Sequence, residues 1–366
     1  MKKEFTVIAN SQMEYWAREF NAAVIPKDST FESNIMALIA KGEVPVIQID
    51  NSPAEILFLK TLPSKSIVGW LYSDESFDTS FAKEISQIQS IILILRPYHL
   101  NSVKIKNLIY SGLYLFSNSR NVGSLRNFLK FNLWFMRGIS MSCRERRITN
   151  LFWRANLKFV NFPLGYTDVF SYSYLNLATS KKIQHRGSLL KLKAPQSNNP
   201  NSHLVFVGQT GQIVRRVAIN AARNSPSSIV LTRDGYGAGD IKALNVMSNG
   251  IEYVKLLLDS KFILCPPGNI SGNSFRIHES VIVRRIPIVL SHVVSDPNFV
   301  SPVDFFPPNK NFRSWNQVIS SSKLISKESY DEQVEINLHC LQKEIEQAKN
   351  LILQYTKLAT SIGFIN

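Results

Sequence analysis

Lys261 to Leu290 reads KFILCPPGNISGNSFRIHESVIVRRIPIVL, and the fold is decided on this stretch. It opens on an apolar run, Phe262-Ile263-Leu264-Cys265, and stops at Pro266-Pro267-Gly268. A polar loop, Asn269 to Asn273, leads into a helical segment from near Ser274 to about Arg284. A second apolar run, Ile286 to Leu290, closes the unit. Strand, loop, helix and strand in that order predict half of a parallel α/β sheet. Such a sheet takes its ligand at the carboxyl ends of its strands, where a helix N-terminus offers unpaired N–H groups to an anion. Ser274 is placed to cap the helix, and Arg276 and Glu279 share one face of its first turns. A cation and a carboxylate there could hold a diphosphate and a ribose diol. The bland alternative is an ordinary βαβ unit whose Arg276–Glu279 pair is a surface salt bridge worth little.

Upstream, strands and helices alternate. Phe5–Ala9 reads as a strand, Ser11 to about Ala23 as a helix, Phe31–Ala40 as a helix and Val44–Ile49 as a strand. Ser52 stands before a helix, Pro53–Leu62, with proline in its first turn. Ile67–Tyr72 is the next strand, Phe81–Gln89 a helix, and Ile91–Leu95 and Leu113–Phe116 two more strands. This alternation predicts a doubly wound sheet. Ser171 to Ser202 reads as a connection, because Asn198-Asn199-Pro200-Asn201 is a strong breaker. A second unit then opens with strand Leu204–Val207, the turn Gly208-Gln209-Thr210-Gly211, helix Gln212–Arg223, strand Ile229–Thr232 and a short helix over 251–259. Ser326 is placed to cap a long helix that starts at Lys327, with acids crowding its early turns. The expected division is 1–170, a basic linker 171–202, a second domain 203–325 and a C-terminal helix 326–366.

The chain has 366 residues, 45% of them apolar, enough for two domains with cores of their own. Cys143, Cys265 and Cys340 lie far apart, which argues against a disulfide framework or a zinc site and suits a reducing compartment. The first residues make a poor signal peptide, and no run is apolar enough to span a bilayer, so a cytoplasmic protein is expected. The net charge of +15 is concentrated: between Arg120 and Lys193, fourteen Lys or Arg stand against two acids, Glu145 and Asp168. Large apolar residues such as Phe128, Trp134, Phe152 and Trp153 share that segment. Basic plus aromatic points to an anionic membrane surface or a polyanionic partner, or else to core helices with solvated arginines outside. No nucleic-acid-binding motif is present, so a nucleic-acid partner is not expected.

SKFILCPPG (Ser260 to Gly268), then Ser274, Arg276 and Glu279, then Pro287-Ile288 resemble the donor-binding core of exostosin-like glycosyltransferases. Ile288 stands where the family has Val, and a larger departure lies five residues after the Glu, where the family usually has Gly and this chain has Arg284. The resemblance implies a GT-B fold, with two Rossmann-like domains, a cleft between them and a long C-terminal helix. It implies transfer of a sugar from a nucleotide-diphosphate sugar, UDP-sugar favoured, to a glycan or lipid-linked acceptor. Ser274, Arg276 and Glu279 would bind the donor, joined by Gly208, Thr210 and Arg215 from the first loop and helix of the second domain. Gly208-Gln209-Thr210-Gly211 lacks both the G-x-G-x-x-G and the P-loop pattern, so nicotinamide or ATP use gains no support.

Asp74 and Glu75 stand at the carboxyl end of a predicted strand of the first domain, and their Ser-Asp-Glu turn resembles bacterial relatives of the same group. Inverting transfer needs one carboxylate to take the acceptor hydroxyl proton, and Asp74 is the favoured candidate over Glu75. Positive charge at Arg276 would meet the leaving diphosphate, so neither a metal nor any other cofactor is called for. His278 and His292 lie near this region, but no two histidines have metal-ligand spacing. Peripheral contact with the inner face of an anionic membrane is the partner expectation for the basic segment. The rival to a transferase is a non-catalytic two-lobed protein that binds ligand or serves in an assembly.

Overall fold

Val46-Ile47-Gln48 and Ile67-Val68-Gly69-Trp70 are buried at every residue, as strands in the middle of a parallel sheet covered on both faces must be. The structure is a computed structural model that describes residues 3–10, 14–71, 79–96, 136, 140, 143–162, 165–166, 168–178, 188–192, 195, 200–210, 213–234, 238–239, 249–266, 275–289 and 315–361. Among the calls above, Asp74, Glu75, Gly211, Ser274, His292, the Leu113–Phe116 strand and a large part of 120–193, including 120–135, lie outside the described residues.

Among the described residues the first sheet has six parallel strands: β1 (Thr6–Ala9), β2 (Ala23–Pro26), β3 (Val46–Gln48), β4 (Ile67–Trp70), β5 (Ile91–Arg96) and β6 (Lys158–Asn161), in the order β2-β1-β3-β4-β5-β6. Helices α2 (Phe31–Ala40), α3 (Pro53–Thr61), α4 (Thr79–Ile85) and α5 (143–154) bury Ile35, Leu59, Ile85 and Phe152 against one face. On the other face, α1 (Glu14–Glu19) with the turn after it and α6 (Asp168–Ala178) supply Trp16, Phe20, Phe170 and Tyr174. Because α1 and α2 lie on opposite faces, the winding reverses between β1 and β3.

The second sheet contains β7 (Ser202–Gln209), β8 (Ser228–Asp234), β9 (Ala238–Gly239), β10 (Ser260–Leu264) and β11 (Ile286–Ile288), in the order β11-β10-β7-β8-β9. Among the described residues, only the β8–β9 pairing of this sheet is antiparallel. Helices α7 (Ile213–Arg223) and α10 (Trp315–Ser322) cover one face. Helices α8 (Gly250–Leu258) and α9 (Phe275–Ile282) cover the other. Here the winding reverses between β7 and β10. Finally α11 (Lys327–Ser361), 35 residues and roughly 50 Å long, runs back to the first sheet. Tyr330 near its start donates to the Lys261 carbonyl (2.7 Å), and Lys349 further along pairs with Glu4 beside β1 (2.9 Å). Two Rossmann-like sheets and a long final helix match the GT-B expectation.

The two carboxyl edges face one another. The first turns of α1 and α9 follow β1 and β10, and Trp16 and His278 on those turns are 5.7 Å apart between ring centroids. The same buried cluster runs on through Val207, Val254, Ile282 and Leu341, so one core joins the halves. At the end of α1, buried Glu19 accepts hydrogen bonds from the Tyr166 hydroxyl and from the Leu189 N–H (2.7 Å).

Some local expectations change. The helix expected to reach Ala23 stops at Glu19, since Asn21 turns the chain with φ +58°, and Ala23–Pro26 becomes an edge strand. An edge position tolerates its terminal proline. The stretch read as a connection from Ser171 begins inside α6, where Ser171 and Tyr174 are fully buried. Ser52 precedes α3 but makes no side-chain cap bond, whereas Ser326 accepts from the Ser329 N–H (3.2 Å) as expected. Helix α10 was not anticipated.

Arg96, the last residue of β5, is bound by both oxygens of Glu145 on α5 (2.6 and 2.7 Å), and both side chains are 3% exposed. Removing one partner of such a pair is costly because the other charge stays in a low-dielectric site. Glu145→Ala should therefore destabilise the protein by about 3–5 kcal/mol, read from the midpoint of urea unfolding.

Candidate functional site

Ligands of open α/β sheets bind at the carboxyl end of the strands where the winding reverses. In the second sheet that point lies between β7 and β10. The β10–β7 ladder ends at Ile263–Val205, while β7 continues beside β8 as far as Gln209. Past Val205, no described strand pairs with the side of β7 that faced β10, and a side chain takes its place. Arg276, in the first turn of α9, donates through Nε (3.1 Å) and Nη2 (2.7 Å) to the Val207 carbonyl. Its guanidinium carbon also lies 5.2 Å from the centroid of the Phe206 ring. A carbonyl on one side and an aromatic face on the other fix the plane of the cation.

Gly208 is part of this contact. A Cβ built there would lie 2.4 Å from Arg276 Nη2 and 3.0 Å from the Phe206 ring. The sequence placed Gly208 at the start of a turn. In the structure it sits within β7, paired with Thr232, and its missing side chain makes room for the guanidinium. Thr210 follows at the strand end, buried, and its carbonyl accepts from Arg216 Nε (3.1 Å). Arg215, the neighbour singled out in the sequence, is half-buried in the first turn of α7.

Glu279 lies one turn along α9 and is 5% exposed, so it is not part of a surface salt bridge. Its Oε2 accepts from the Tyr253 hydroxyl on α8 at 2.6 Å. Burial lifts the Glu279 carboxyl above the ordinary carboxylate range, while the Tyr253 bond and the nearby positive charge of Arg276 pull it down. Burial also raises the Tyr253 hydroxyl and pushes the Cys265 thiol up to about 12, which leaves that cysteine an inert core residue. His278, between Arg276 and Glu279, points to the other side of α9. There its ring meets Trp16, and Nε2 lies 3.7 Å from Glu344 of α11.

The family glycine position is explained by the end of the same helix. Arg284 N–H bonds the Val281 carbonyl (3.1 Å) and Arg285 N–H bonds the Ser280 carbonyl (2.8 Å), which is a Schellman turn. Its αL residue is Arg284, with φ +58°, where glycine would be unstrained. Arg284 offsets that strain by donating to the Leu190 carbonyl (3.0 Å).

The first sheet carries a polar group at its own reversal point. Gln48 is fully buried and its Oε1 accepts from the Asn10 N–H at 3.0 Å. Lys27 reaches the Gln48 carbonyl, Asp50 and Glu55, all within 2.8 Å. Lys27, Asp50, Glu55 and Tyr253 were not singled out in the sequence. Each is a common residue far in sequence from its partner, and no spacing rule joins them. The site thus gathers Gly208, Thr210, Arg276 and Glu279 at one edge. Among the described residues, no group of three or more His, Cys, Asp or Glu has metal-site geometry.

The raised Glu279 carboxyl has a stability consequence. Its folded value exceeds its unfolded one, so its contribution is fully present below the ordinary carboxylate range and is lost as pH rises through the raised value. Glu279→Gln keeps an acceptor for Tyr253 and removes the buried charge. It should raise the melting temperature by a few degrees at neutral pH, and the advantage should vanish in acid, as followed by calorimetry across pH.

No model of a known protein family matches the chain, and no curated protein matches it in sequence. Among solved structures, a glycosyltransferase from Rickettsia africae ESF-5 aligns with a TM-score of 0.44 and 11% identity over 98% of this chain and 99% of that one. An alpha,alpha-trehalose 6-phosphate synthase from Burkholderia multivorans aligns at 0.45 and 8% identity, covering 96% and 81%. Anabaena Alr3699/HepE, in complex with UDP and glucose, aligns at 0.34 and 11%, covering 96% and 98%.

Proposed function

We propose that the chain is an inverting, metal-independent glycosyltransferase that takes its sugar from a nucleotide-diphosphate donor, with UDP-sugar favoured. The acceptor would be a glycan or a lipid-linked saccharide. The observation that carries this reading is the pair at the second sheet's reversal point, a plane-fixed guanidinium with a buried carboxylate one turn further along the same helix. A guanidinium presents five N–H donors in a rigid fork, and anchoring it through Nε and Nη2 fixes where the others point. Charge on a departing diphosphate is best met by donors that need no reorganisation. The likeness of this stretch to the exostosin-like donor core supports the same assignment residue by residue.

In that reading Glu279 binds the ribose diol and Arg276 the diphosphate, with Ser274, Gly208, Thr210 and Arg215 completing the donor site. Asp74, following β4 in sequence, takes the proton of the acceptor hydroxyl as its oxygen bonds to the anomeric carbon, and Glu75 is the second candidate. The bond from that carbon to the diphosphate oxygen breaks, and the diphosphate leaves with the electron pair. The configuration inverts because attack and departure occur on opposite faces.

Isothermal titration with UDP and GDP, followed by a hydrolysis screen over nucleotide sugars, tests the reading directly. Binding of neither nucleotide at millimolar concentration would sink it. Binding without transfer or hydrolysis would favour a two-lobed assembly protein. Glu279→Ala should weaken nucleotide binding by about 1–3 kcal/mol, the range of a lost charge-assisted hydrogen bond. Arg276→Ala should lower kcat more than it weakens binding, because its contribution grows with charge on the leaving group.

Asp74→Asn keeps shape and removes basicity, so kcat should fall by about 10²–10⁴ with donor affinity little changed. Wild-type activity should decline on the acid side as the carboxylate protonates. The same loss in Glu75→Gln, and none in Asp74→Asn, would reverse the two roles.

A further inference from the structure

Helix α5 has two faces of different chemistry. Ile148 and Phe152 are buried in the outer core of the first sheet, and Glu145 is bound to Arg96. Cys143, Arg146, Arg147, Asn150, Trp153 and Arg154 are all exposed, at the three- and four-residue spacing of one helix face. Glu145 is the one acid between 143 and 154, and it is buried, so the outer face of the helix carries three arginines and no carboxylate. In the middle of these charges, Trp153 is 79% exposed, and upstream Met136 is 61% exposed.

A merely solvated helix face accounts for the arginines but not for the indole. Surface helices mix acids with bases for solubility, and tryptophan is normally the most costly side chain to leave in water. A soluble polyanion would satisfy the arginines and give Trp153 no apolar phase. A bilayer surface satisfies both, with lipid phosphates for the guanidinium groups and the headgroup–acyl boundary for the indole. We propose that the outer face of α5 is a docking surface for anionic lipid bilayers. Among the described residues no helix is long and apolar enough to cross a membrane, so the contact is peripheral.

The position of the face gives the docking a use. Arg96 ends β5 at the carboxyl edge of the sheet, and its bond to Glu145 holds the first turn of α5 at that edge. Bilayer phosphates gathered by Arg146 and Arg147 would therefore lie beside the edge where an open α/β sheet admits its ligand. A saccharide borne on a lipid would enter from the membrane without leaving it. The docking stands independently of the chemistry proposed at the site, since a catalytically silent chain would bind lipid equally well.

The test is sedimentation of the full chain with vesicles of phosphatidylcholine alone, and of phosphatidylcholine mixed with phosphatidylglycerol. Each is run at about 0.05 M and about 0.5 M salt, which spans strong and weak screening. Wild type should pellet with the mixed vesicles at low salt and be released at high salt. Arg146→Glu with Arg147→Glu should lower the partition coefficient about tenfold or more. Trp153→Ala should weaken binding and abolish the lipid-induced blue shift of tryptophan fluorescence. All three residues are exposed, so the variants should keep the wild-type circular dichroism and melting temperature. Equal pelleting with both lipids, or charge-reversed and Trp153 variants that bind like wild type, would overturn the proposal. Retention on single-stranded oligonucleotide without lipid binding would overturn it as well and assign the face to nucleic acid.

Discussion

A parallel sheet that winds in two directions must open somewhere, because neighbouring strands diverge where their connections leave on opposite faces. In the second sheet this opening exposes one side of β7 beyond Val205, and Arg276 closes it. The rest of the site follows from that replacement. Position 208 has to be glycine to admit the guanidinium, position 206 gains from an aromatic ring beneath it, and α9 must start beside the strand end. The arginine thus acts as both a piece of sheet and a fixed charge. A lysine could not do both, since it lacks the planar fork that meets a carbonyl through two donors while lying flat on a ring.

Glu279 is the opposite case. Its carboxyl is buried against Tyr253 in a place where the charged form is disfavoured. A buried group of this kind costs stability wherever it is ionised. Arg284 is a milder compromise of the same kind. A side chain occupies a backbone conformation suited to glycine and recovers part of the strain through the Leu190 carbonyl. That bond joins the end of α9 to the segment between the two sheets, which glycine at the same position would not do.

Much of this was legible before any coordinates. The strands of both sheets are short aliphatic runs, and the helices between them end at recognisable breakers, so the alternation could be read directly. Arg276 and Glu279 were legible because three-residue spacing on a helix start is a local pattern. What escaped was non-local. Ala23–Pro26 looked like the tail of a helix, because only an αL turn at Asn21 separates them and asparagine there carries a weak signal. Tyr253 is tied to Glu279 across two elements, and Lys27, just after β2, finds its partners at the end of β3 and in the first turn of α3. Gly208 stood out in the sequence, but its contact with Arg276, a residue 68 positions away, did not.

The last helix sets an order on assembly. Leu341, Ile345, Ala348 and Ile352 belong to the cluster that also contains Val7, Trp70 and Leu93, and Lys349 reaches Glu4 beside the first strand. The earliest strands to emerge during synthesis therefore lack part of their apolar cover until the chain has been made beyond Ile352. Domains generally fold as units in order of synthesis, but here the first unit can only be provisional while the second is being built. For that interval its inner face is available to chaperones and to wrong partners alike. Any lesion that stops synthesis before α11 would leave the inner face of the first sheet short of part of its apolar cover.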